Sequence, residues 1–138
     1  MLKKIQILVL GLMLTATISV YACGVGEMTP EGYENAPITH AYNHWKQGKN
    51  SPIPFVFVDV RTPEEYKSGH IPGAVNIPVS EIKGRMNEVP KDKQVYVYCH
   101  SGKRAAKASA ILAKAGFSVE NIPESMQGWK AAGYPIEK

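Results

Sequence analysis

Cys99 opens the run Cys99-His100-Ser101-Gly102-Lys103-Arg104, which places a nucleophile beside small, polar and basic residues. The β-rich run Gln94 to Tyr98 before it predicts a strand. The stretch after it predicts a helix from about Ala105 to Ala115, with Ala105, Ala108, Ile111, Leu112 and Ala115 inward and Lys107 and Lys114 outward. Cys99 is thus expected at a strand's carboxyl end, just before a helix N-terminus, where unpaired amides and the helix dipole favour an anion. Gly102 can take any backbone angle, so several loop amides can turn towards one sulfur. Lys103 and Arg104 add full charges in the first helical turn, and such surroundings favour a nucleophilic thiolate. An inert core cysteine would more naturally lie mid-strand, so its place at the mouth of a basic loop points to catalysis.

Other reactive side chains are less pointed. His40 and His44 lie four apart on an expected helix. A metal would need a further ligand that nothing nearby in the sequence supplies, so they read as a polar helix face and no metal is expected. Asp59, at a strand's carboxyl end, could support the sulfur from behind. Arg61, Glu65 and His70 read as pairing or capping residues. The chain has two cysteines, Cys23 and Cys99, and no Cys-x-x-Cys pair, which argues against an exported redox protein. A Cys23–Cys99 disulfide is the plainest alternative use of the two.

The elements that must position Cys99 follow from pattern. Thr39 is placed to cap a short helix bearing Ala41, Tyr42 and Trp45, which Gly48 ends. Phe55 to Val60 is a continuous apolar run suited to a strand buried on both faces. Thr62-Pro63-Glu64-Glu65 is a capping box with proline at the first helical position, and Gly69 stops that helix within two turns. Ala74 to Ile77 predicts a second strand, Ser80 to Met86 a small helix, Phe117 to Ile122 a last strand and Met126 to Ala132 a last helix. Strands alternating with helices give an α/β fold with a mainly parallel sheet.

Composition bounds the rest. The 138 residues are 44% apolar and 20% charged, an ordinary single-domain globular composition. Of the 16 basic residues set against 12 acidic ones, Lys3 and Lys4 lie in the N-terminal segment; without them the net +4 falls to +2. No block of like charge argues for nucleic acid or a polybasic membrane patch. Residues 1–22 read as a signal peptide: Lys3 and Lys4, an apolar core, then Val20-Tyr21-Ala22 before Cys23. Periplasm or cell envelope is the expected location. Val20-Tyr21-Ala22-Cys23 resembles a lipobox, although Tyr21 is bulky for that pattern, so simple cleavage and lipidation of Cys23 both stand; such a lipid would be the chain's sole membrane contact. Residues 23–32 are Gly-, Pro- and Glu-rich and read as a tether, leaving 33–138 as the domain.

The motifs together resemble rhodanese domains. Asp59-Val60-Arg61, Glu65-Tyr66, Gly69-His70-Ile71-Pro72-Gly73-Ala74 and Asn76-Ile77-Pro78 are similar to that family's upstream signature. Cys99 to Arg104 is similar to its active-site loop, and Gly116-Phe117, Gly128-Trp129 and Ala132-Gly133-Tyr134-Pro135 to its C-terminal pattern. The resemblance implies a three-layer rhodanese-like fold and a monomeric sulfurtransferase without cofactor. Cys99 would take a sulfane sulfur from a small anion such as thiosulfate and pass it to a thiol or cyanide. His100, Ser101, Gly102, Lys103 and Arg104 would bind the donor. Two departures stand out: His100 replaces the usual arginine, and Glu124-Ser125 replace paired glycines, which puts an anion-repelling carboxylate at the mouth. Cys-based phosphatases of related architecture place five residues between cysteine and arginine; here four separate Cys99 from Arg104, which disfavours phosphate chemistry. A noncatalytic persulfide carrier for an exported partner is the competing class.

Overall fold

The structure, a computed structural model, describes residues 26–138. The expected signal segment 1–22 and Cys23 lie outside them. The described residues form one six-stranded sheet in the order β1-β2-β6-β5-β3-β4. Its strands are β1 (Glu27–Met28), β2 (Glu34–Asn35), β3 (Phe55–Asp59), β4 (Val75–Asn76), β5 (Gln94–Tyr98) and β6 (Val119–Asn121). All pairings are parallel except β1 with β2. Helices α1 (Ile38–Gln47), α2 (Pro63–Lys67), α3 (Lys103–Lys114) and α4 (Ser125–Ala131) connect them, so the expected α/β class holds.

Alternation along the central strands builds a core on each face. Val95 and Val97 of β5, with Val58 of β3 and the following Val60, pack beneath Ala105, Ala108 and Leu112 of α3. Tyr96 and Tyr98, with Phe57, turn the other way and meet Ile38 and Ala41 of α1 and Met126 and Trp129 of α4. Residue 99 falls on the α3 side, and Cys99 joins that cluster at 1% exposure. The chain leaves β3 towards β4 on one side and returns to β5 on the other, so the carboxyl ends of β3 and β5 border a topological switch point, the usual place for ligands in such sheets.

Several expectations need correction. The stretch read as a tether, 23–32, contains β1, and Glu27 pairs with Asn35 while Glu34 pairs with Glu120. Two-residue strands carry no period, which is why composition alone read as linker. Pro37, not Thr39, stands at the N-cap of α1, because burying Ile38 pulls the first turn forward. Ser80 to Met86 is a succession of turns followed by a 3-10 turn at Met86–Glu88, with Gly84 inside it and prolines at 78 and 90 leaving no room for a regular helix. The capping box on α2 is present in full, Thr62 Oγ1 accepting from Glu65 N at 3.2 Å and Glu65 Oε1 accepting from Thr62 N at 3.3 Å.

Candidate active site

Cys99 follows β5 directly, and the backbone leaves the sheet there through Gly102. That glycine has φ +105°, and a Cβ on it would lie 2.4 Å from the Pro123 carbonyl oxygen. Only glycine fits both the angle and the space. The resulting turn brings Gly102 N–H to 3.0 Å from Cys99 Sγ, a direct donor to the sulfur. It also starts α3 immediately behind, whose first amides have no carbonyl within the helix to meet.

A second strap comes from the other side of the loop. The first turn of α4 donates Met126 N–H to the Cys99 carbonyl at 2.9 Å and Gln127 N–H to the His100 carbonyl at 3.0 Å. Ser125 Oγ accepts the Cys99 amide at 3.1 Å. Loop and helix are therefore locked in register, so the sulfur is held by backbone geometry rather than by long flexible side chains.

Of the expected donor-binding residues, His100, Ser101 and Lys103 are exposed around Cys99, and Lys103 forms no ion pair among the described residues. Arg104 is different. Its guanidinium grips Glu65 of α2 with Nη1–Oε1 at 2.7 Å and Nη2–Oε2 at 3.0 Å, closing the crevice between the two helix N-termini. Hydrogen bonding to Arg104 holds the Glu65 carboxyl down at about 2, and Glu65 in turn raises Arg104, with Cys99 close enough to add to the effect. A guanidinium committed to a bidentate carboxylate is a poor free anion receptor. Sequence reasoning gave Glu65 its cap but missed this partner, because the two lie 39 residues apart.

Asp59 is fully buried and turned towards Arg61, with Nε–Oδ1 at 3.0 Å and Nη2–Oδ2 at 2.6 Å, and the same guanidinium reaches the Gly69 carbonyl at 2.8 Å. It makes no hydrogen bond to Cys99 or its loop; it braces the turn that follows β3. His70, stacked on Tyr66 at 3.7 Å between ring centres, bonds the Tyr66 carbonyl through Nδ1 at 2.8 Å and is structural, as read. His40 and His44 line the far face of the sheet. His44 Nδ1 meets the Tyr96 hydroxyl at 2.6 Å, and His40 Nε2 lies 3.4 Å from Glu120 Oε2, a carboxylate that the sequence did not place near them.

A family model described as the rhodanese-like domain matches residues 31–132. The chain belongs to the rhodanese-like domain family. Among relatives of this rhodanese-like domain is a Bacillus subtilis protein named "Putative sulfur carrier protein YrkF", 36% identical over 105 residues, covering 75% of this chain and 56% of that one. The chain thus spans about half the length of that relative. A protein of Allochromatium vinosum named "Sulfurtransferase" is 42% identical over 82 residues, covering 59% of this chain and 77% of that one. A rhodanese-related protein of Thermoplasma volcanium of known crystal structure superposes with a TM-score of 0.68 at 28% identity, covering 76% of this chain and 98% of that one. The expected rhodanese-like α/β fold is thereby met in both sequence and architecture.

Proposed function

We propose that this rhodanese-like domain is a sulfurtransferase that carries sulfane sulfur as a persulfide on Cys99. The observation that carries the reading is the Gly102 N–H aimed at Cys99 Sγ from a loop locked to two helices, in a member of a family with a relative named a sulfurtransferase. The Cys99 thiolate attacks the outer sulfur of the donor. With thiosulfate, the sulfur–sulfur bond breaks and its electron pair departs with sulfite, leaving a persulfide anion on Cys99. An acceptor thiolate or cyanide then attacks that outer sulfur, and the Cys99 thiolate leaves with its electrons. Charge and atoms balance without metal or organic cofactor. Backbone donors fixed before reaction favour the anionic sulfur at no reorganisation cost.

The Arg104–Glu65 pair favours a second donor class. With Arg104 neutralised by Glu65, only exposed Lys103 and His100 remain to attract a dianion, while a persulfide carried by another protein needs less positive charge at the mouth. A carrier role for an exported partner accords with this, as does the name of the Bacillus relative. An N-terminal export signal and a lipid on Cys23 belong to the same proposal; fractionation of cells that express the full chain checks both.

Mass spectrometry of the purified protein after incubation with thiosulfate, and separately with a protein persulfide, tests the reaction. Cys99 should gain one sulfur atom, removable by a thiol or by cyanide, and Cys99→Ser should gain none because serine forms no persulfide. A Cys99→Ser protein that still transfers sulfur would sink the mechanism.

A further inference from the structure

Three parts of the site meet at Ser125. It starts α4 directly after the β6 turn and is buried to 1% exposure. Its Oγ accepts the Cys99 amide at 3.1 Å and donates to the Ile122 carbonyl at 2.8 Å. The same oxygen lies 3.8 Å from Cys99 Sγ. Its φ is +50°, the sole positive value among the described non-glycine residues. That region suits glycine and burdens serine. The chain therefore holds a strained serine where the backbone favours a residue without a side chain. What serine adds is the hydroxyl.

A hydroxyl has one proton and a free rotor. With the sulfur neutral, the proton belongs on the Ile122 carbonyl, the shorter contact. With the sulfur anionic, rotation about the Cβ–Oγ bond alone can turn the proton towards Sγ, while the oxygen stays in place and its lone pairs still receive the Cys99 amide. We propose that Ser125 is a positioning residue for Cys99, its hydroxyl anchoring the Cys99 backbone and supplying a donor beside Gly102 N–H when the sulfur is negatively charged. This rests on the persulfide reading of Cys99. A purely structural Ser125 makes a different forecast: glycine should serve as well or better, since it relieves the left-handed backbone.

Ser125→Gly and Ser125→Ala in the full chain separate the two. Three quantities are followed: the melting temperature, the rate of Cys99 alkylation by iodoacetamide, and persulfide formation over a range of thiosulfate concentrations. Ser125→Gly should melt at or above the unmodified protein. Its alkylation and its limiting rate of persulfide formation should both fall about tenfold, the loss of one hydrogen bond to a charged group, with half-saturation by thiosulfate unchanged. Ser125→Ala keeps the strain and loses the hydroxyl, so it should show the same rate losses with a lower melting temperature. A glycine variant that alkylates and takes up sulfur at the unmodified rate overturns the proposal, as do losses that follow melting temperature across the two variants. If the unmodified protein is alkylated at Cys99 yet accepts sulfur from neither thiosulfate nor a protein persulfide, the sulfurtransferase reading falls, and the alkylation rates alone then decide for or against Ser125.

Discussion

Cys99, directly past the end of β5, and Glu120, within the neighbouring strand β6, meet opposite treatment. Around Cys99, donors outnumber acceptors: Gly102 N–H points at the sulfur, Ser125 Oγ stands beside it and a helix begins behind it. Around Glu120 the balance is reversed. Its carboxylate sits on the α1 side against Tyr96, paired with it in strand register, and Oε2 is buried without a hydrogen bond. Burial first, and the charge of Glu34 on the adjoining strand second, push the Glu120 carboxyl up to about 7. Burial likewise raises the Tyr96 phenol and lowers the His44 imidazole. Three ionisable side chains, His44, Tyr96 and Glu120, are thus gathered where burial disfavours charge of either sign, whereas the Cys99 sulfur is met by a backbone donor. The supply of donors, not the density of ionisable residues, sets the Cys99 end of this sheet apart.

The largest break in that contrast comes from Gly102→Ala. The added methyl would meet the Pro123 carbonyl at 2.4 Å on a backbone with φ +105°, so the loop must shift and Gly102 N–H must leave the sulfur. Loss of one fixed donor should slow persulfide formation by about 100-fold, with a stability loss of about 3 kcal/mol from the strained backbone. Rates of sulfur uptake followed by mass spectrometry, alongside urea unfolding, measure both. Wild-type uptake in this variant would show that the donor on the sulfur is dispensable.

Arg104→Ala sharpens the contrast by asking what positive charge contributes beyond the amides. Because Arg104 is held by Glu65, the expected loss is about tenfold and equal for thiosulfate and for a neutral sulfur donor, the signature of a loop brace. A loss confined to thiosulfate and erased by salt would restore the anion-receptor role that the sequence suggested. The same pair predicts an acid limb. Glu65 is held down at about 2, so its contribution is complete above the ordinary carboxylate range and is lost as pH falls from about 4.5 through 2. Half-exposed as it is, the pair should contribute about 1 kcal/mol, and Glu65→Gln should remove that acid-side loss of stability.

How far the sequence reached follows the same line between local and distant contacts. The capping box of α2, the β5–Cys99–α3 junction and the β-rich run of β5 are set by near neighbours in the chain, and each was legible. Glu65 with Arg104, Ser125 with Cys99, and Glu120 with His40 join residues brought together only by the parallel sheet, and none was. Ser125 left one trace, a serine at a glycine position of the rhodanese pattern. The positive φ that gives it meaning appears only once the chain is folded. The strand β1 is too short for any period, so a sequence rich in Gly, Pro and Glu read there as linker.

The smallest effect lies on the quiet side of the sheet and is read in stability alone. Glu120 has a folded pKa raised to about 7, above the ordinary carboxylate value of 4.5. Below 4.5 both folded and unfolded chains hold its proton, and it contributes no pH dependence. Between 4.5 and 7 the unfolded chain releases that proton while the folded chain keeps it, so stability falls as pH rises; above 7 both are ionised and the loss is complete. Glu120→Gln keeps the shape and removes the charge. It should raise stability at pH 8 by about 1–2 kcal/mol, change little at pH 4.5 and flatten the curve between. Sulfur uptake at Cys99 should be unaltered, since Glu120 faces the opposite layer. Urea unfolding across that pH range decides it: a glutamine variant less stable at pH 8 would mean that the His40–Glu120 pair is a net attraction, and the claim that this face rejects negative charge would fall.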